Sequence, residues 1–264
     1  MTASPSTSPL VASAVVPRVD DRCYWQMRRR LLPGLRNSQY AYFEALDRLL
    51  RDGDDWLDLG CGRRLTPDWL RGGDAIQRSL VDRAGYVIGV DPDQSALEDN
   101  VLGIDLRSGD AAGLPVMAGS VDLVTMNMVA EHLRRPRQAM VEVARVLRPG
   151  GRVLIHTPNW WYPLTAAASV MPDRLVSRVA GRLEGRACAD IYPAYYRMNR
   201  TGKLRRLARR SGLVMDQAMR LPTSPETRTL GRWVVPEMLM IKATTLPGLR
   251  GLQSNLIVVL RKPE

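Results

Sequence analysis

The sequence predicts an α/β protein built on a doubly wound, mostly parallel sheet, and three observations carry that expectation. Short apolar runs of strand length recur between residues 55 and 160, and helical patterns lie between them. Glycines, Asp and Asn close several of those runs at their carboxyl ends. Strands separated by helices pair in parallel through right-handed crossovers.

Taken in order, Asn37-Ser38 offers a helix cap, and Tyr42, Phe43, Leu46, Leu49 and Leu50 follow at helical spacing. Asp52-Gly53-Asp54 closes that helix, and Trp56 to Leu59 forms the first strand. Thr66-Pro67-Asp68 reads as N-cap, N1 and N2 of a second helix that breaks at Gly72-Gly73. Tyr86 to Val90 is the second strand, Ser95 to Asn100 a short helix, Gly103 to Leu106 a third strand and Val121 to Met126 a fourth. From Pro136, the residues Met140, Val143, Val146 and Leu147 mark an amphipathic helix that Arg148-Pro149-Gly150-Gly151 ends. Arg152 to His156 is a fifth strand, and the rhythm then lapses until helix 201–211 and strands 213–219 and 254–260.

Length and composition fit one α/β domain with additions: 264 residues, 45% apolar and 25% charged. Residues 21–264 are expected to form it. Its core covers about 37–158, 200–221 and 253–262, with insertions at about 159–199 and 222–252. The first 20 residues, rich in Ser, Thr, Pro and Ala without a basic stretch before an apolar one, read as a disordered tail. The charge-free run from Val153 to Pro172 contains Pro158, Asn159 and Pro163, which is wrong for a spanning helix. Three separated cysteines suggest neither a disulfide framework nor a zinc site, so the expected location is cytoplasmic. The net charge of +11 favours anionic partners or is a solvated basic surface. Arg197 to Arg210, with seven basic side chains and no acid, is either a plain helix face or a membrane-peripheral contact; no specific nucleic-acid recognition is inferred.

Ligands of a doubly wound sheet sit beyond the carboxyl ends of its strands. Four stretches fall there: Asp58 to Gly62, Asp91-Pro92, Gly109-Asp110-Ala111 and Asn127-Met128. Gly60 and Gly62 bring backbone close to a ligand, with Cys61 between them. Asp91 can accept two ribose hydroxyls, and Asp110 with the Ala111 N–H can meet an adenine edge. Asp58 favours an ammonium or sulfonium and would repel a pyrophosphate, while Leu65 breaks the G-x-G-x-x-G dinucleotide fingerprint.

LDLGCG at 57–62, VIGVDPD at 87–93, GDAAGLP at 109–115, VDLVTMNMVAEHL at 121–133 and RVLRPGGRVLI at 145–155 together resemble the class I S-adenosylmethionine-dependent methyltransferases. The nearest branch is that of the ubiquinone and menaquinone biosynthesis enzymes. The resemblance implies seven strands, the last antiparallel and inserted between the fifth and sixth, with helical insertions after strand five and between strands six and seven. It implies S-adenosylmethionine as cofactor. Asp58, Gly60, Cys61 and Gly62 would lie at the methionine end, Asp91 and Pro92 at the ribose, Asp110 and Ala111 at the adenine, and Asn127 and Met128 beside the methionine chain. The family's third loop glycine is replaced by Arg64. The first Glu of the Glu-x-x-Glu-His of quinone-pathway O-methyltransferases is Met128, so no metal is expected.

The acceptor would be a small or lipid-linked molecule offering O, N or C, methylated by in-line displacement. His132 is the candidate base, or else a residue that orients its loop. Trp160, Trp161, Tyr162, Tyr195 and Tyr196 are candidate acceptor-pocket residues, with a small satellite core as the alternative. Arg36, Gln39 and Tyr40 could close over the cofactor. A nicotinamide oxidoreductase and a non-catalytic protein binding membrane or nucleic acid are the competing classes, and the oligomeric state is left open.

Overall fold

The computed structural model describes residues 21–171, 192–225 and 234–264. The expected tail and parts of both insertions lie outside the described residues. Among those described, seven strands form one sheet: β1 (Asp55–Leu59), β2 (Tyr86–Asp91), β3 (Asp105–Ser108), β4 (Val121–Asn127), β5 (Leu147–Pro158), β6 (Val214–Leu221) and β7 (Asn255–Arg261). Their order is β3-β2-β1-β4-β5-β7-β6, with β7 antiparallel to both neighbours and the other pairs parallel. The order reverses between β1 and β4, so the cleft opens where Leu59 and Asn127 end their strands.

Helices cover both faces: α1 (Asp21–Leu31), α2 (Ser38–Leu49), α3 (Gly73–Arg83), α4 (Gln94–Glu98), α5 (Pro136–Val146), α6 (Pro163–Ala168), α7 (Thr201–Arg210) and α8 (Val234–Ala243). The Asn37 side chain caps α2 by accepting the Gln39 N–H at 2.9 Å. Helical spacing then turns Gln39, Tyr42, Phe43 and Leu46 inward. One core packs α5 and α7 on the sheet through Met140, Val143, Val146, Leu204 and Ala208, all fully buried. The opposite face packs Tyr42, Leu46, Trp56, Leu80, Leu123 and Leu154.

Two expected elements shift. Residues 66–72 are not helical; α3 starts where the sequence suggested a break. Gly72 supplies its N-cap with φ +73°, and the Thr66 hydroxyl goes to Gln77 Oε1 at 3.2 Å instead of capping a helix. The third strand lies two residues later than expected, because the Asn100 side chain accepts the Leu102 N–H and holds that approach as a loop. Pairing begins only at Asp105, against Ile88.

Candidate active site

Register brings the key residues level before any side chain is considered. Asp58 on β1 lies opposite Gly89 on β2 and Thr125 on β4. The Trp56 indole N–H donates to Thr125 Oγ1 at 2.8 Å, and the Thr125 hydroxyl donates to Asp58 Oδ1 at 2.6 Å. No cation joins this buried carboxylate among the described residues, and burial pushes it up to about 7. The phenol of Tyr42 is also buried nearby, with its hydroxyl lacking a partner among the described residues. Burial, and then the Asp58 charge, raise its pKa.

The glycine loop is clamped from both sides. Gly60 takes φ +76°, and a Cβ there would stand 2.3 Å from Val129 Cγ2. Its N–H donates to the Val90 carbonyl at 2.7 Å. Cys61 is buried against β2, where a Cβ on Gly89 would meet its sulfur at 2.8 Å. Gly62 donates its N–H to Asp91 Oδ2 at 3.0 Å and accepts from Asn100 Nδ2 at 2.7 Å. Asp91 Oδ1 accepts the Asp93 N–H at 2.9 Å, so each Asp91 oxygen has one backbone donor and a further lone pair. Pro92 follows at the end of β2 and Asp93 caps α4.

Arg64, in the place of the third glycine, grips the turn instead. Its two terminal nitrogens bond Asp68 and Asp74, tying residues 64–68 to the first turn of α3. The neighbouring Arg63 pairs with Asp99 at 3.2 Å.

At the exit of β3, Asp110 is exposed. Its Oδ1 accepts the Ala112 N–H at 2.9 Å and its Oδ2 accepts from Arg135 at 3.0 Å; Ala111 beside it is buried. At the exit of β4, Asn127 Nδ2 donates to Gln39 Oε1 at 2.9 Å. Asn127 Oδ1 faces His156 Nδ1 at 2.8 Å, and His156 Nε2 faces Asn255 Nδ2 at 3.1 Å. An amide oxygen can only accept, so Nδ1 carries the imidazole proton, and burial holds His156 neutral by lowering it to about 3. Met128 takes φ +59° and donates its N–H to the His156 carbonyl at 2.8 Å.

His132 ends a short 3-10 turn, Ala130–His132. Its Nδ1 lies 2.9 Å from the Pro193 carbonyl, which can only accept, so Nδ1 carries a proton there, and its Nε2 stands 4.0 Å from Glu131 Oε1. Glu131 beside it is buried, accepts the Thr157 hydroxyl at 2.8 Å and is raised by that burial. The Glu131 carbonyl accepts the N–H groups of Tyr195 and Tyr196 at 2.7 and 3.0 Å. Segment 192–196 thus crosses the mouth, and the Tyr192 hydroxyl at its outer end bonds Asp93.

Of the aromatic candidates, Tyr162 packs in a satellite core with Tyr24, Leu32, Val234 and Met238, the alternative its sequence also allowed, and its hydroxyl reaches Glu237 at 3.4 Å. Trp161 is half exposed, Trp160 stands edge-on to it, and Tyr195 and Tyr196 are partly exposed. Near α2, Gln39 reaches Asn127, whereas Arg36 pairs with Glu44 and Tyr40 packs edge-on against Trp69. Sequence reasoning missed Tyr42 and Thr125 as site residues, because their only signal is contact between elements far apart in the chain. Among the described residues no group of three or more His, Cys, Asp or Glu is placed to hold a metal ion.

The loop, the four strand ends and the reversed strand order lie within the span that matches a family model described as a methyltransferase domain, residues 57–155. That stretch of the chain is similar to the methyltransferase domain family. A "Probable S-adenosylmethionine-dependent methyltransferase" of Mycolicibacterium smegmatis is 34% identical over 160 residues, covering 60% of this chain and 54% of that protein. An "Uncharacterized methyltransferase" of Mycolicibacterium vanbaalenii is 29% identical over 92% of this chain and 97% of its own length. The chain spans about half the length of several curated relatives it matches. Among solved structures, the YcgJ protein of Bacillus subtilis shares this chain's fold at TM-score 0.52 and 17% identity, over 86% of this chain and 99% of its own.

Proposed function

We propose that the chain transfers a methyl group from S-adenosylmethionine to a small-molecule or lipid-linked acceptor with an oxygen, nitrogen or carbon nucleophile. The observation that carries this reading is the pair of carboxylates at the loop. Asp58 is buried without a cation among the described residues, and Asp91 keeps an acceptor lone pair on each oxygen. A ligand with an ammonium at one end and a vicinal diol further along fits both, whereas a pyrophosphate would meet two negative charges. The unpartnered Tyr42 hydroxyl fits a carboxylate beside that ammonium.

S-adenosylmethionine supplies a methyl group activated by its sulfonium. The chain's own part is binding, orientation and proton transfer. Asp58, Gly60, Cys61 and Gly62 would hold the amino-acid end, Asp91 and Pro92 the ribose, and Asp110 and Ala111 the adenine. Asn127 and Met128 would line the methionine chain. The His156, Asn127 and Gln39 series fixes that wall in one hydrogen-bonded state. For a hydroxyl or acidic-carbon acceptor, His132 Nε2 would take the proton that the acceptor's nucleophilic atom gives up. Among the described residues no helix is long and apolar enough to cross a membrane. A lipid-linked acceptor would instead be met at the surface, where Lys203, Arg205, Arg206, Arg209 and Arg210 lie exposed on α7.

Calorimetry with S-adenosylmethionine and S-adenosylhomocysteine tests the reading. Both bind the wild type, and Asp91→Ala abolishes binding of each. Wild-type protein indifferent to both ligands would sink it. A saturating NADH fluorescence titration would favour the oxidoreductase class instead.

A further inference from the structure

Three guanidinium groups at the mouth of the cleft rest on aromatic rings and have no carboxylate partner among the described residues. Arg134 and Arg197 lie against the same Tyr195 ring, at 5.9 and 5.3 Å from its centroid. Arg200 lies 3.4 Å from the Trp160 centroid and 5.1 Å from that of Trp161. Arg134 and Arg197 are exposed and Arg200 is half-buried. Of the nearby acids, Asp110 bonds Arg135 and feels the Arg134 charge only at longer range, and Glu131 is buried on Thr157.

Like charges gathered on one ring repel, and among the described residues the Asp110 carboxylate, already paired with Arg135, offsets this only in part. The Arg197 to Arg134 carbonyl hydrogen bond, at 2.6 Å, holds the two groups together despite that repulsion. A guanidinium held on an aromatic ring can still offer N–H edges to an oxyanion through paired hydrogen bonds. The rings are therefore platforms for arginine rather than open faces for a substrate ring. The cluster adjoins the candidate base: Tyr195 is tied to the Glu131 carbonyl, and His132 to Pro193 two residues before it.

We propose that Arg134, Arg197 and Arg200 form a recognition site for a multiply charged oxyanion on the methyl acceptor, held beside His132. This rests on the methyltransferase reading for the word acceptor, but not for the anion site itself. Inorganic pyrophosphate represents a phosphate-bearing acceptor and malonate a dicarboxylate.

The test is calorimetry on the full chain at low salt, with each probe, in the presence and absence of S-adenosylhomocysteine. One probe saturates a single site on the wild type, and the one that does identifies the anion class. Arg134→Gln with Arg197→Gln weakens it at least tenfold and leaves S-adenosylhomocysteine binding unchanged. Arg48→Gln with Arg78→Gln, the same charge change at exposed positions of α2 and α3, leaves probe binding unchanged. The proposal is overturned if neither probe saturates, or if the Arg48 and Arg78 pair weakens binding as much as the mouth pair. If the protein ignores S-adenosylhomocysteine yet still binds a probe through Arg134 and Arg197, the methyltransferase reading fails and the anion site stands.

Discussion

Asp58→Asn isolates the energetic consequence of a carboxylate buried before any ligand arrives. Burial raises this group from 3.8 to about 7 in the folded chain. A rise of about three units, at about 1.4 kcal/mol per unit, corresponds to about 4 kcal/mol between the two protonation states. The folded-state value lies above the unfolded one, so the stabilising contribution is whole below about pH 4. It is lost progressively as the pH climbs and is gone above about pH 7. The amide keeps an oxygen for the Thr125 hydroxyl, so the Trp56 to Thr125 chain survives the substitution. Urea unfolding of both proteins from about pH 4.5 to 8 should show the variant gaining on the wild type by up to about 4 kcal/mol. Titrating groups that do not feel the Asp58 charge cancel in that difference. A difference that stays flat across the range would refute the assignment of the raised group to Asp58. Binding supplies the opposite sign: wild-type affinity for S-adenosylhomocysteine should rise towards pH 7 as Asp58 ionises, and the variant should bind weakly with no such rise.

Further outcomes follow from the same geometry. Gly60→Ala should cost about 1–2 kcal/mol for its left-handed backbone, and about 1–3 kcal/mol more for the contact with Val129. Adding Val129→Ala should recover only the second part, and strictly additive losses in urea unfolding would contradict the clash. Arg152→Met strands Asp54, its buried partner at 2.7 Å, and should cost about 3–5 kcal/mol by chemical denaturation; a loss under about 1 kcal/mol would show the pair to be dispensable. His156 should show no imidazole titration by NMR between about pH 8 and 5. Its lowered value makes stability fall as pH drops below the unfolded value of about 6.5, so a mid-range titration of His156 would refute its burial as neutral.

The strands were legible because each is a short apolar run whose burial the sheet enforces, and Trp56 to Leu59 or Val121 to Met126 needed no long-range information. The Thr66-Pro67-Asp68 signature misled because a cap is a local preference worth about 1 kcal/mol. Gly72 and the Thr66 to Gln77 bond settled the helix start differently. Strand ends pointed to Asp58, Asp91, Asp110 and Asn127, since sheet topology alone puts such positions at one edge. Tyr42 was legible only as a core residue of α2, because nothing in its neighbours records that its hydroxyl ends beside Asp58. Tyr162 and Trp160 read alike in sequence. Packing of α1 and α8 separates them, and those helices are remote from both in the chain.

Arg64 has a consequence for how this loop can change. A glycine at that place would tolerate almost any residue at 68 and 74, whereas here the three positions are bound by charge. Removing the arginine alone would leave two carboxylates facing one another at the head of α3. Replacing Arg64 with glycine is therefore uphill at its first step unless Asp68 or Asp74 changes beforehand. Mutational histories of this segment should show the acids lost before the arginine, and a library randomising all three positions should recover them as linked sets.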